Sequence, residues 1–140
     1  MTTSIDSNII VALWRQDDPL NGIAATMLNQ ARKQGGLAIS APVYAELMGD
    51  PRRTESELNE FLQDTGILIE WTLDERAWRE AGRAYQGYVA RRRTEAGSYP
   101  RRILTDFLIG AHALVRSHSL LTFDLRLFAA AFPALSIISE

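Results

Sequence analysis

Five short runs, TSID at 3–6, LAIS at 37–40, ILIEW at 67–71, SLLTF at 119–123 and LSIIS at 135–139, read as strands. None is followed directly by a second run through a two-residue hairpin turn. Stretches with helical signals separate them instead. Strands joined through helices cannot pair as hairpins, so they have to lie side by side and mostly parallel. The sequence therefore predicts an α/β fold with a mainly parallel central sheet of four to five strands. The residues that work in such a sheet are expected at the carboxyl ends of the strands, near the point where strand order reverses.

The helical signals are specific. SNIIVALW follows the first strand. Asp18 before Pro19 reads as an N-cap with proline in the first turn, opening a helix that runs to about Lys33 and stops at Gly35-Gly36. Ser40 with Pro42 opens a helix carrying VYAELMG, and Thr54-x-x-Glu57 is a capping box for SELNEFLQD, which Gly66 ends. Thr72-x-x-Glu75 reads as a second capping box, opening a long helix whose Trp78, Ala81, Tyr85 and Tyr88 form one expected buried stripe. This helix breaks around Gly97 to Pro100, and another runs from about Leu104 to Ser117. A short one follows at LRLFAAA.

With 140 residues and no repeat or linker-like tract, a single domain over 1–140 is expected. There is no cysteine, which excludes thiol catalysis and thiolate metal sites. No apolar stretch of about 18 residues is present, and MTTSIDSNII lacks the basic-then-apolar pattern of a signal peptide. These features together predict a cytoplasmic protein with no membrane span. The net charge is −2, but the basic residues are uneven: Arg91, Arg92, Arg93, Arg101 and Arg102 stand within twelve positions, and Lys33 is the only lysine. Arginine forks suit bidentate phosphate contacts. A solvated helix face is the alternative for this cluster.

Four carboxylates fall where the topology predicts a working edge. Asp6 ends the first strand and Asp124 follows the fourth. Glu46 lies about a turn into the helix after the second strand, and Asp106 in the first turn of RRILTDFLIGAHALV. Each has a structural alternative: Asp6 and Asp124 as helix caps, Asp106 as a partner for its helix dipole, Glu46 as an exposed helix residue. Gathered together, four such groups raise one another's pKa and require a counter-charge. An all-oxygen donor set points to Mg²⁺ or Mn²⁺. His112 and His118, six residues apart, do not share a helix face and read as structural. A hard cation held by acids with arginines nearby suits phosphodiester hydrolysis.

The stretches IDSNIIVAL, APVYAELMG, PRRILTDFLIGAHAL and LLTFDLRLF, in this order across residues 5 to 138, resemble the motifs of PIN-domain ribonucleases. The closer resemblance is to VapC-type toxins of toxin–antitoxin pairs. Gly110 stands where alanine is commoner in that family, a departure expected to matter little beyond packing. The resemblance implies a three-layer α/β/α fold and a metal-dependent endoribonuclease. Asp6, Glu46, Asp106 and Asp124 would hold one or two Mg²⁺ or Mn²⁺ ions, with water attacking the phosphodiester. Ser7, Asn8 and Thr122 would orient the carboxylates. Arg91, Arg92, Arg93, Arg101 and Arg102 would bind RNA, with Arg102 also a candidate partner for an acid. The implied partners are an RNA substrate, a VapB-type antitoxin and a second copy of the chain. Trp14, Trp71, Trp78, Met27 and Leu28 are candidates for such surfaces, although such residues are more often core.

Other readings stay open on the same residues: a PIN-type nuclease for RNA processing or structured DNA without an antitoxin, or an inactive binding domain of the same fold. A receiver-like signalling domain needs a lysine near the end of its fifth strand, and Lys33 is misplaced for it. A haloacid-dehalogenase-type phosphatase needs an aspartate at position 8, where the chain has Asn8.

Overall fold

The computed structural model describes residues 1–94 and 104–140. In chain order the elements are β1 (Thr2–Ile5), α1 (Ser7–Trp14), α2 (Asn21–Gln34), β2 (Gly36–Ser40), α3 (Ala41–Met48), α4 (Glu55–Thr65), β3 (Ile67–Glu70), α5 (Glu75–Thr94), α6 (Leu104–Val115), β4 (Ser119–Leu121), α7 (Leu125–Ala131) and β5 (Ile137–Ile138). The strands form one sheet in the order β3-β2-β1-β4-β5, and every pairing is parallel. From β1 the chain crosses over to β2 and on to β3, then returns past β1 to β4 and β5. Helices α1 to α4 pack among themselves and α5 to α7 among themselves, with α3 also meeting α6, as expected when right-handed crossovers send the two groups to opposite faces. The order reverses between β1 and β4, whose register pairs Ile5 with Leu121.

The strands read as apolar because helices cover both faces. Ile5, Ile39, Leu120 and Leu121 are all fully buried. Helix α6 is enclosed still further: Phe107, Ile109, Gly110, Ala111, His112 and Ala113 are all buried. A helix apolar on nearly all sides belongs inside the protein, and α6 packs against α3, α5, α7 and β4.

Several local signals act as read. Thr54 and Glu57 form both bonds of their capping box, and Gly66 ends α4 in the left-handed conformation at φ 72°. Others are corrected. Helix α2 begins at Asn21 rather than at Pro19, because Asp18 uses its carboxylate in a turn, accepting the Leu20 N–H at 2.8 Å. Thr72 does not cap α5. Asp74 does, accepting the Ala77 N–H at 2.9 Å, and an ionised acceptor makes the stronger cap. The buried stripe of α5 is also turned by one position. Ala77, Ala81 and Tyr88 are buried with Ala84 packed beside them, whereas Trp78 is 50% and Tyr85 37% exposed. Small residues fill the seam and let α5 approach α6, leaving two of the large aromatics at its margin. Met27 and Leu28 belong to the core, Trp14 packs against it, and Trp71 is exposed.

Gly110 has a larger role than its place in the sequence suggests. A Cβ there would overlap the ring of the buried Phe132. Gly110→Ala is expected to destabilise the protein by about 1–3 kcal/mol, the usual scale of overpacking. Urea denaturation of the two proteins checks this, and Phe132→Leu should relieve part of the loss. Among the described residues, no helix is long and apolar enough to cross a membrane.

Candidate active site

The reversal of strand order puts the ends of β1 and β4 side by side. The Asp6 N–H donates to Leu121 O at 2.9 Å, which sets Asp6 level with Thr122. Thr122 is fully buried, and its hydroxyl donates to Asp6 Oδ2 at 2.7 Å. Thr122 Oγ1 itself accepts from Asn8 Nδ2 at 3.4 Å and from the Asp124 N–H at 3.0 Å. Asn8 Oδ1 in turn accepts the Phe123 N–H at 3.4 Å. One hydroxyl thus joins the end of β1, the start of α1 and the entry to α7.

Asp6 is 6% exposed, yet its side chain makes no helix-capping bond to α1. Asp124 occupies the N-cap position of α7 and likewise makes no side-chain cap bond. The capping alternative therefore explains neither acid. Ser7 reaches across to α3: its Oγ donates to Glu46 Oε1 at 2.8 Å and lies 3.5 Å from Asp6 Oδ1. Asp106 enters from the first turn of α6.

The Asp6 carboxyl is pushed up to about 6, first by burial and then by the charges of Glu46 and Asp106; the Thr122 hydroxyl and the Ser7 peptide oppose the rise. Glu46 and Asp106 thus both act electrostatically on Asp6, and Asp124 is tied to Asp6 through its backbone on Thr122. Removing the hydroxyl tests this balance. Thr122→Val is expected to raise the Asp6 midpoint further, because a bond that favours the carboxylate is lost. The carboxyl-carbon NMR titration of Asp6 in metal-free protein reads the change directly.

Among the described residues, no three acidic or histidine side chains stand close enough together to enclose an ion as they are. The donors nevertheless fit a hard divalent cation in kind: all are oxygens, and the charges of Glu46 and Asp106 add to the burial that raises Asp6.

Arg91, Arg92 and Arg93 occupy the last turn of α5. Tyr85 and Tyr88 pack on the Phe107 ring with centroids 5.3 and 5.4 Å apart, so the following turn of α5 lies beside the start of α6, where Asp106 stands. Arg91 and Arg92 are half-buried and Arg93 is exposed. Arg101 and Arg102 lie outside the described residues. Next to the acids is an open recess of about 500 Å³, whose lining includes Glu46, Trp78 and Thr105. Nothing in the linear chain marks it, since its walls come from three separate helices and from Leu73 ahead of α5.

The histidines take no part in this site, but their separation in the chain is misleading. His118 lies beyond the end of α6, and the two rings meet with centroids 5.9 Å apart. Both approach Glu70 Oε1, His118 Nε2 at 2.9 Å and His112 Nε2 at 3.0 Å, with Arg116 Nη1 at 3.6 Å from Oε2. Burial holds His112 below the usual histidine range, helped by Arg116 and His118 and opposed by Glu70.

An all-parallel sheet of five strands, with acids converging where its order reverses, defines an α/β protein built to present carboxylates at one edge. Residues 4–133 match the PIN domain, and the chain belongs to that family. No curated protein matches the chain in sequence. Its fold is shared with solved VapC-type toxins. The structure of VapBC2 from Rickettsia felis bound to a DNA fragment from its promoter matches at TM-score 0.70 and 20% identity, covering 100% of this chain and 99% of that one. VapBC-1 from nontypeable Haemophilus influenzae matches at 0.68 and 18% identity, covering 99% and 98%. Mycobacterium tuberculosis VapC20, described as a sarcin-ricin loop cleaving toxin, matches at 0.61 and 16%, covering 91% and 94%.

Proposed function

We propose that the chain is a metal-dependent endoribonuclease toxin, held inactive in the cytoplasm by a VapB-type antitoxin and working as a homodimer. The observation that carries the catalytic part is the buried Asp6 at the end of β1, bridged to Glu46 by the Ser7 hydroxyl and raised further by the charges of Glu46 and Asp106. Acids gathered against their own repulsion need a purpose, and a cation facing a phosphodiester supplies one. Family membership and the VapC-type fold support the same reading.

Asp6, Glu46 and Asp106 would hold Mg²⁺ or Mn²⁺, one ion or two, with Asp124 as the fourth ligand. When bound, the cation makes water a competent nucleophile near neutral pH and offsets charge developing on the phosphate. The chain supplies the rest. Thr122 fixes Asp6 Oδ2, while the other oxygen of that carboxylate faces the Ser7 hydroxyl, which itself donates to Glu46. Ser7 keeps Asp6 and Glu46 at a set separation, and Asn8 holds Thr122 in place. Arg91, Arg92 and Arg93, with Arg101 and Arg102 from the adjoining segment, would bind RNA phosphates. Such contacts weaken steeply with salt.

Purified protein is expected to cut RNA with Mg²⁺ or Mn²⁺ and to stop when EDTA is added. Undiminished cleavage in EDTA rejects the metal-dependent mechanism. The antitoxin half is tested separately: expression of the chain alone should arrest bacterial growth, and co-expression of the adjacent small gene should restore it.

A further inference from the structure

The recess beside the acids has a composition that separates it from the rest of the site. Pro42 and Ala45 of α3 line it together with Leu73, Trp78 of α5 and Leu108 of α6. Glu46 belongs both to this recess and to the acid cluster, and Thr105 immediately precedes Asp106. None of the described residues lining it is basic, and apart from Glu46 and Thr105 their side chains are apolar. Such walls suit an uncharged part of an occupant whose phosphate lies at the acids. Trp78 is the largest side chain in the lining and is 50% exposed, so much of its indole surface is open to an occupant.

We propose that this recess takes the unpaired base of a nucleotide flanking the scissile phosphate, stacked on Trp78. The assignment rests on the nuclease reading above and adds to it a base-binding subsite on this chain's own Trp78. A base presents two apolar faces to the walls while its polar edge stays at the mouth. A base still paired in a duplex cannot enter, because its faces are already stacked and its edge engaged. A peptide segment suits the recess less well. Its N–H and C=O groups would meet walls whose polar side chains, among the described residues, are Glu46 and Thr105, and buried amides without partners are costly.

The test uses a single-stranded RNA oligonucleotide whose cut bond has been mapped with the wild-type protein in Mn²⁺. Abasic versions are then made at each of the two flanking nucleotides. Trp78→Ala is expected to raise KM roughly 5- to 100-fold, the range of one lost base–aromatic stack, with kcat nearly unchanged. Trp78→Phe should recover most of the loss. One abasic substrate should show the same loss with wild-type protein and no further loss with Trp78→Ala, since both remove the same contact. Equal melting temperatures of the variants, expected for a half-exposed side chain, exclude misfolding as the cause.

An unchanged KM for Trp78→Ala overturns the proposal while leaving the nuclease reading intact. So does multiplication of the Trp78 and abasic losses. So would a Trp78→Ala protein that cuts RNA normally but no longer retains a co-expressed protein partner. A wild-type protein that cuts no RNA in Mg²⁺ or Mn²⁺ overturns the nuclease reading itself, and this inference with it.

Discussion

Asp106→Asn should leave the fold intact and reduce RNA cleavage on the order of 10³-fold or more, the scale on which loss of a group acting in the transition state registers. The substitution keeps the size of the side chain and removes its charge at the start of α6. Asp106 stands partly exposed in that first turn, while the helix behind it is packed through Phe107, Ile109 and Ala111, each fully buried. The packing is indifferent to the change, and the electrostatics are not. One of the two charges that raise Asp6 disappears, so the Asp6 midpoint should fall in the same variant. Cleavage assays in Mn²⁺, thermal melting and the Asp6 titration together separate loss of chemistry from loss of structure. Near-normal cleavage by a folded Asp106→Asn protein would remove Asp106 from the machinery.

Asp6→Asn carries the second large effect, and it runs against intuition: the metal-free protein should become more stable at neutral pH. Asp6 holds its proton up to about pH 6 when folded, against 3.8 for the ordinary carboxyl. Folding therefore favours the protonated form. Stability contributed by that form is fully present below about pH 4, is lost as pH rises from there to about 6, and stays lost above it. The full loss is roughly 3 kcal/mol at pH 7. An uncharged amide escapes it, less whatever the Thr122 bond loses by facing an amide. The variant should gain about 1–3 kcal/mol at pH 7.5 in EDTA and show a flatter pH dependence between 4 and 6. Urea denaturation at three pH values measures this. Parallel pH profiles of the two proteins would show that Asp6 carries no such burden. Added Mg²⁺ or Mn²⁺ should stabilise the wild type more than the variant, because it binds the charged form.

The two expected outcomes share one origin, the burial of Asp6 beside the charges of Glu46 and Asp106. How much of this could be read from the chain depended on where each signal originates. The strand runs were legible because burial on both faces leaves an apolar imprint on each one. Thr54 and Gly66 were legible because a capping box and a left-handed glycine are local devices. Asp18, Thr72 and Trp78 misled for related reasons. Each belongs to a pattern that a neighbour satisfies better: Leu20 draws Asp18 into a turn, Asp74 caps in place of Thr72, and small alanines take the seam that the aromatics mark from its edge. The acids were legible as positions, from topology and from the resemblance to PIN domains. Their mutual influence was not, since it depends on Ser7 facing Glu46 and on Asp6 being sealed from water. The His112–Glu70–His118 contact was invisible because its members come from a strand, a helix and the loop beyond that helix.

Thr122 has a consequence for the order of events during synthesis. Its hydroxyl stands 116 positions from the aspartate it holds. A nascent chain emerging from the ribosome has made Asp6, Glu46 and Asp106 well before it makes the strand that positions the first of them. On the nuclease reading proposed above, Asp6 is expected to gain its fixed orientation only after Thr122 has been made and β4 has paired with β1.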